Sequence, residues 1–396
     1  MELITAKYKD ETLTLYPHSR IDSSNAGTVQ TLSEEFIAQY KPVNLIVDAD
    51  DLEYLSSAGL RVILKFRKAF PNLKVIGTSS EVYDIFEMTG FTEMITVERG
   101  YRKLSVDGCE VIGKGANGTV YRLDSDTIIK VYADPEALPD IQRERELARR
   151  AFVLGVPTAI PYDVVKVGNL YGSVFELLNA KSLANLLCED PSGIDRYVDM
   201  SVDILKIIHA TDVLPEDMPD MKEIALDWVN FLKTHLPEDT WSKLHSLVKA
   251  VPDSLRMIHG DYHVKNVMVQ NSEALLIDMD TLCHGDPVFE FASIFNAYKG
   301  FYMPDQYLTP DAGSFLGIPA DSDRLFYRKT LEQYFGTTDD ALLKQIEDKA
   351  ALIGYTRLMR RLIRRHGLEN EAGKKAIDYY RKEIIRLAAQ LDTIIL

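Results

Sequence analysis

Apolar positions recur in two alternating rhythms along the first hundred residues. The runs Glu2–Tyr8, Thr12–Tyr16 and Asn44–Asp48 are short, extended and rich in strand formers, and they predict strands. Between them, Thr28–Tyr40 places Val29, Leu32, Phe36 and Ile37 on one helical face. Ser57–Phe70 repeats Leu60, Ile63, Phe66 and Phe70 at three- and four-residue steps. A further strand at Lys74–Gly77, a helix at Ser80–Met88 and an apolar run at Met94–Val97 complete a βαβ alternation. The expectation is a small α/β domain over residues 1–99. The charged, glycine-containing stretch 98–103 marks its boundary. Residues 104–178 are strand-rich, interrupted by one helix at Pro139–Leu154, and residues 179–396 read mostly as helix. A strand-rich lobe followed by a helical lobe predicts a cleft between the two.

Composition narrows the class. Of 396 residues, 46% are hydrophobic and 27% charged, an ordinary globular balance that excludes disordered and collagen-like chains. The net charge of −15 argues against a nucleic-acid partner, which would call for a basic surplus. No apolar run approaches the ~18–20 residues of a membrane span, and the N-terminus shows no secretory pattern. Cys109, Cys188 and Cys283 are far apart, with neither disulfide nor metal-ligand spacing, so a reducing cytoplasm is expected. The last stretch, Ala351–Leu396, inverts the charge with ten basic and five acidic residues. Arg360, Arg361, Arg364 and Arg365 cluster there on one helix, either as a solvated face or as a site for phosphate or an acidic partner.

Three segments carry candidate chemistry. The first, Val111–Val120, reads G-x-G-x-x-G-x-V through Gly113, Gly115, Gly118 and Val120. Glycines in such a hairpin bare backbone N–H groups to a polyphosphate, where side chains would hold it off. A dinucleotide fold would need a helix next, but Thr119–Leu123 looks like a strand. The second is the apolar strand Thr127–Tyr132 with Lys130 inside it. A lysine there needs a partner, and the following helix offers Glu144, which shares a face with Ala148 and Ala151, or Glu146. The third, Met257–Met268, contains H-x-D-x-x-x-x-N, with Asp261 to orient an attacking hydroxyl and Asn266 to face Mg²⁺. Asp278 follows at a strand end, an oxygen ligand of the kind Mg²⁺ prefers. His259 and His263 are expected to hold the loop by hydrogen bonds, His209 to be a core residue, and Asp286 to bond the backbone of the loop. No G-x-S-x-G elbow supports a serine-hydrolase triad.

These residues resemble the aminoglycoside phosphotransferase and choline kinase family, with its H-G-D-x-H-x-x-N loop and I-D-x-D metal motif. The resemblance spans residues 104–396 and implies a bilobal, protein-kinase-like fold that uses ATP and Mg²⁺. By it, Asp261 is the catalytic base, Asn266 and Asp278 hold Mg²⁺, and Lys130 with Glu144 positions the phosphates. Phe175–Leu178 becomes the hinge, where the backbone of Glu176 and Leu178 reads adenine. Protein kinases fit less well, because Met279-Asp280 stands in place of Phe-Gly and no A-P-E follows. The front domain resembles STAS domains of anti-sigma-factor antagonists, through Arg20–Ala26 and Leu55–Arg61. That likeness implies a protein partner and makes Ser57 a candidate phosphorylation site, although Ser56 stands where the family often has Asp. The bland alternative is that Ser56 or Ser57 merely caps a helix.

The expectation is therefore a cytoplasmic kinase that phosphorylates a small-molecule hydroxyl, with a STAS module attached. Glu216, Asp217, Asp220, Glu223, Asp305 and Asp311 would suit a cationic acceptor such as an amino sugar or amino alcohol. Two rival readings are a switch in which the kinase part phosphorylates Ser57, and a nucleotide-binding pseudokinase scaffold. Retention of Lys130, Asp261, Asn266 and Asp278 weighs against the scaffold.

Overall fold

The structure, a computed structural model, describes residues 3–115, 118–302 and 315–396. Asp305, Asp311 and the loop residues Ala116 and Asn117 lie outside the described residues. The chain divides into two compact units.

The first unit is built on a five-stranded sheet, and the alternating pattern of the sequence sets its layers. Strands β1 (Ile4–Lys9) and β2 (Thr12–Pro17) form a hairpin; β3 (Ser19–Ile21) follows, then helix α1 (Ala26–Tyr40). Next come β4 (Asn44–Asp48), β5 (Leu52–Leu55), α2 (Ser57–Ala69), β6 (Lys74–Thr78), α3 (Ser80–Met88) and β7 (Thr96–Arg99). The sheet order is β1-β2-β4-β6-β7, antiparallel at β1–β2 and parallel elsewhere, and β3 pairs separately with β5. Leu13, Leu15, Leu45, Val47 and Val75 line one buried sheet face against Phe66 and Phe86 of the helices. Gly59 lets α2 lie close to β5, since a Cβ there would stand 2.5 Å from Leu55 Cδ1. Residues Val164–Gly172 group with this unit rather than with the lobe in which the sequence places them. The Leu104 N–H donates to the Lys166 carbonyl at 2.9 Å, and Tyr101 packs edge-on against Tyr171.

The second unit opens with strands β8 (Glu110–Lys114), β9 (Gly118–Arg122) and β10 (Thr127–Tyr132), followed by helix α4 (Leu138–Val153). Strands β11 (Pro161–Val167) and β12 (Leu170–Glu176) complete a sheet of order β11-β12-β10-β9-β8. The helical part follows: β13 (Lys181–Ser182), α5 (Leu183–Glu189), α6 (Ile194–Ala210), α7 (Met221–Phe231) and α8 (Glu238–Lys249). Short strands β14 (Met257–Ile258), β15 (Val267–Gln270), β16 (Glu273–Leu276) and β17 (Cys283–His284) carry the motif residues between them. Helix α9 (Pro287–Phe295) is buried from Val288 to Phe295, and helices Ala320–Phe335, Asp340–Arg364 and Glu371–Gln390 close the chain. The N-terminal α/β domain and the strand-rich and helical lobes expected from the sequence are thus present. No helix among the described residues is long and apolar enough to cross a membrane.

Candidate active site

Lys130 sits mid-strand on β10 with its side chain only 20% exposed, so its ammonium is partly withdrawn from water and must be neutralised there. Its Nζ lies 2.9 Å from Glu144 Oε1 and 3.2 Å from Asp278 Oδ1. Glu144 is buried on α4, and the Tyr132 hydroxyl donates to its other oxygen. Burial alone would lower the Lys130 pKa, but Glu144 and then Asp278 outweigh it and hold the ammonium well above its ordinary value. Glu146, the rival partner, turns to the helix surface and takes Arg149 and Arg150 instead.

Two loops meet beneath that pair. In the first, Gly260 has φ +78 and a Cβ there would stand 2.6 Å from the Thr281 carbonyl, so only glycine fits. Asp261 follows, then Asn266, which is buried and donates from Nδ2 to the Asp261 carbonyl at 3.0 Å. That bond leaves the Asn266 amide oxygen as an acceptor for a cation. In the second loop Asp278 adopts a left-handed φ of 65, a strained conformation for a residue with a Cβ and one that clusters at functional sites. His259 joins the loops. Its Nδ1 accepts the Asp261 N–H at 3.3 Å and its Nε2 bonds the Ile277 carbonyl at 3.1 Å, so the neutral Nε2–H tautomer satisfies both.

The electrostatics separate the carboxylates. Burial pushes the Asp261 pKa up, but His263, whose Nε2 lies 3.7 Å from Oδ2, and then Arg357 bring it down to about 2. Asp280 goes the other way, up to about 7, through burial first and then the charges of Asp278 and Glu144.

Above the loops, Lys130, Glu144, Asn266 and Asp278 border a cavity of about 340 Å³. Val120 and Ile128 face it from the sheet, Met268 and Ile277 from the helical side, and Phe175–Leu178 edge it. Such paired apolar walls accept a flat heterocycle. The Leu177 N–H is taken by the Asp126 carbonyl at 2.7 Å, whereas Leu178 has no hydrogen-bond partner among the described residues. The hairpin glycines divide by role. A Cβ on Gly118 would strike the Val131 carbonyl at 2.2 Å, so β9 against β10 demands glycine. Among the described residues a Cβ on Gly113 would meet only Val120, at 3.7 Å, and one on Gly115 nothing within 4 Å, so no described residue crowds the space before them. Among the described residues no group of three or more His, Cys, Asp and Glu is placed to hold a metal. A Mg²⁺ shared between two protein groups and nucleotide phosphates needs none, and Asn266 with Asp278 fits that use.

The pattern reading missed one residue that shapes the site. Glu290, with no exposed surface, accepts the His259 N–H at 2.6 Å and the Gly260 N–H at 3.0 Å. His209 Nε2 lies 3.8 Å behind it and His209 Nδ1 bonds the Tyr334 hydroxyl at 2.7 Å. Asp286, expected to hold the loop backbone, instead caps α9 by accepting the Val288 N–H at 2.9 Å. The signal lay in Val288-Phe289-Glu290-Phe291-Ala292, where an acid inside an apolar run must find donors. In the first unit, Ser56 is the N-cap of α2, accepting from Ala58 at 3.2 Å and Gly59 at 3.4 Å. Ser57 is then the first helical residue, exposed, and its hydroxyl has no hydrogen-bond partner among the described residues.

A lysine–glutamate pair, a glycine hairpin and a loop carrying Asp and Asn ahead of a strand-end Asp define a phosphotransferase site. Residues 108–308 match the phosphotransferase enzyme family and residues 4–104 match the STAS domain; the chain belongs to the phosphotransferase enzyme family. The fold is similar to that of a thermostable mutant of aminoglycoside phosphotransferase APH(4)-Ia in ternary complex with ADP and hygromycin B. That match has 10% identity and a TM-score of 0.50, covering 72% of this chain and 94% of that one. A choline/ethanolamine kinase family protein from Mesorhizobium loti matches at 15% identity and TM-score 0.46, covering 70% of this chain and 87% of that one. An anti-sigma factor antagonist from Mycobacterium paratuberculosis matches at 16% identity and TM-score 0.23, covering 24% of this chain and 83% of that one. None of the curated proteins matches the sequence.

Proposed function

We propose that the protein transfers the γ-phosphoryl group of Mg-ATP to a hydroxyl of a small molecule, and that its STAS domain is a regulatory or protein-binding module. The observation that carries this reading is the convergence of Lys130, Glu144 and Asp278 on one another, with Asn266 and Asp278 bordering the same cavity. Lys130 meets the phosphates, Gly113 and Gly115 leave room for them, and the Leu178 N–H reads the base edge. Asn266 and Asp278 would hold Mg²⁺, which would supply neutralisation of the phosphate charge.

Asp261 remains ionised with its pKa near 2, so it orients the acceptor hydroxyl and takes the proton late rather than generating an alkoxide beforehand. That suits a loose transition state in which positioning dominates. Asp261→Asn should lower transfer on the order of 10²–10⁴-fold with Mg-ATP affinity retained. The direct test is an unbiased screen of metabolites incubated with Mg-ATP, read as phosphorylated products. If wild type and Asp261→Asn consume ATP equally, the assignment of Asp261 fails; if wild type phosphorylates nothing, the scaffold reading replaces this one.

A second reading is supported by the exposed, unbonded Ser57 hydroxyl at the start of α2. A phosphate there would sit at the positive end of a helix dipole, so Ser57 is a candidate target for this or another kinase. Mass spectrometry after Mg-ATP incubation decides it.

A further inference from the structure

The acceptor is the open half of the proposed function, and the charges around the catalytic loop bear on it. Two of the acids that suggested a cationic acceptor, Asp217 and Asp220, have structural work. Asp217 pairs with Arg150, and Asp220 caps α7 by accepting the Lys222 N–H at 2.7 Å. Beside Asp261, along with the carboxylate of Asp280, stand basic groups. On the helix Asp340–Arg364, Arg357 and Arg361 stand one turn apart, and Arg365 follows one further turn at its end. Arg357 donates from Nη1 to the Gly260 carbonyl at 2.7 Å, which ties this helix to the residue before Asp261. Its guanidinium lies 5.5 Å from the centre of the Trp228 ring.

Arg361 lies over the Phe301 ring at 5.5 Å and is exposed. Among the described residues neither Arg361 nor Arg365 has a carboxylate partner, unlike Arg360, which pairs with Asp227 at 3.1 Å. Desolvation, then Arg365 and Arg357 beside it, lower the Arg361 pKa, while Asp261 acts the other way. Three like charges spaced at i, i+4 and i+8 oppose helix stability. Arginine forks of this kind match oxyanions in pairs, and an aromatic face keeps a guanidinium in place.

We infer that the acceptor carries an anionic group, a phosphate or a carboxylate, bound by Arg361 with Arg357 and Arg365 while its hydroxyl is presented to Asp261. The inference rests on the phosphotransferase reading and names the substrate class for it. The aromatic faces of Trp228 and Phe301 flank the arginines and would pack the carbon skeleton. Arg361 is a binding residue in this scheme; it orients the anion and leaves the transferred group to Lys130 and the metal.

The test uses the full-length protein, Mg-ATP and matched sets of polyols differing only in one substituent: neutral, amino, carboxylate or phosphate. Products are read by mass. Turnover should favour an anionic member, and the carboxylate and phosphate arms tell which anion is preferred. Arg361→Gln, at an exposed position, should raise KM for that member by about ten- to a hundredfold with kcat little changed and KM for ATP unaltered. Arg361→Lys should recover only part, since the fork is lost. Turnover confined to neutral or cationic members overturns the inference. So does an unchanged KM in Arg361→Gln, or failure of every member by a protein that still binds Mg-ATP. Loss of Mg-ATP binding by wild type would instead remove the phosphotransferase reading on which it stands.

Discussion

Replacing Glu290 tests whether one buried carboxylate holds the catalytic loop. Glu290 accepts two backbone N–H groups, those of His259 and Gly260, with no exposure to water. A hydrogen bond to a charged group contributes about 1.5–3 kcal/mol, so Glu290→Ala forfeits about 3–6 kcal/mol and leaves both donors unsatisfied. Glu290→Gln is the gentler perturbation. One amide oxygen still accepts, but an NH₂ group faces the second N–H, and about half of that energy goes. For a unit of this size each kcal/mol moves the melting temperature by about 2–4 °C, so Glu290→Gln should lower the transition of the second unit by roughly 3–12 °C. Scanning calorimetry of the full chain reads this directly, with the first unit's transition as an internal control. The kinetic expectation is that kcat falls more than Mg-ATP affinity, because Asp261 is displaced while Lys130 and the cavity walls stay. If Glu290→Gln melts with wild type and keeps its kcat, the loop does not depend on this carboxylate and the argument fails.

Three further outcomes follow from the geometry. Lys130→Met should abolish Mg-ATP binding and, by stranding buried Glu144, cost about 3–5 kcal/mol; adding Glu144→Leu should restore much of the stability but none of the binding, as denaturant titration and calorimetric nucleotide binding would show. Gly115→Ala should leave the melting temperature alone and weaken Mg-ATP, whereas Gly118→Ala should destabilise the sheet because its Cβ meets the Val131 carbonyl; the reverse ranking would refute the division between the two glycines. Ser56→Ala should cost the first unit about 1 kcal/mol as a lost cap, while Ser57→Ala should stay within about 0.5 kcal/mol, and equal effects in chemical denaturation would contradict the capping assignment.

The elements and the motif residues were legible in the sequence because they follow local rules. The helix expected at Pro139–Leu154 is found at Leu138–Val153; the sequence offered Glu144 and Glu146 as partners of Lys130, and the structure pairs Lys130 with Glu144. The order Asp261, Asn266, Asp278 was legible because the spacing of a loop and a strand end is a local property. The long-range pairs were not. The apolar run around Glu290 says only that this acid must find donors; that they are the His259 and Gly260 N–H groups depends on which face of α9 meets β14. Nor does the pattern place Arg357 against Gly260, a contact across 97 positions of chain. The short strands β3 and β5 went unread because three or four residues carry too little periodicity.

His259 ends as more than a spacer. By gripping Asp261 with one ring nitrogen and the Ile277 carbonyl with the other, it rivets the loop to the strand that delivers Asp278. The floor of the cleft is therefore one piece, unable to part between its two acids. Whatever breathing admits a nucleotide belongs to the roof, so exchange of backbone protons on adding Mg-ATP should slow in residues 108–122 and barely change across 257–281.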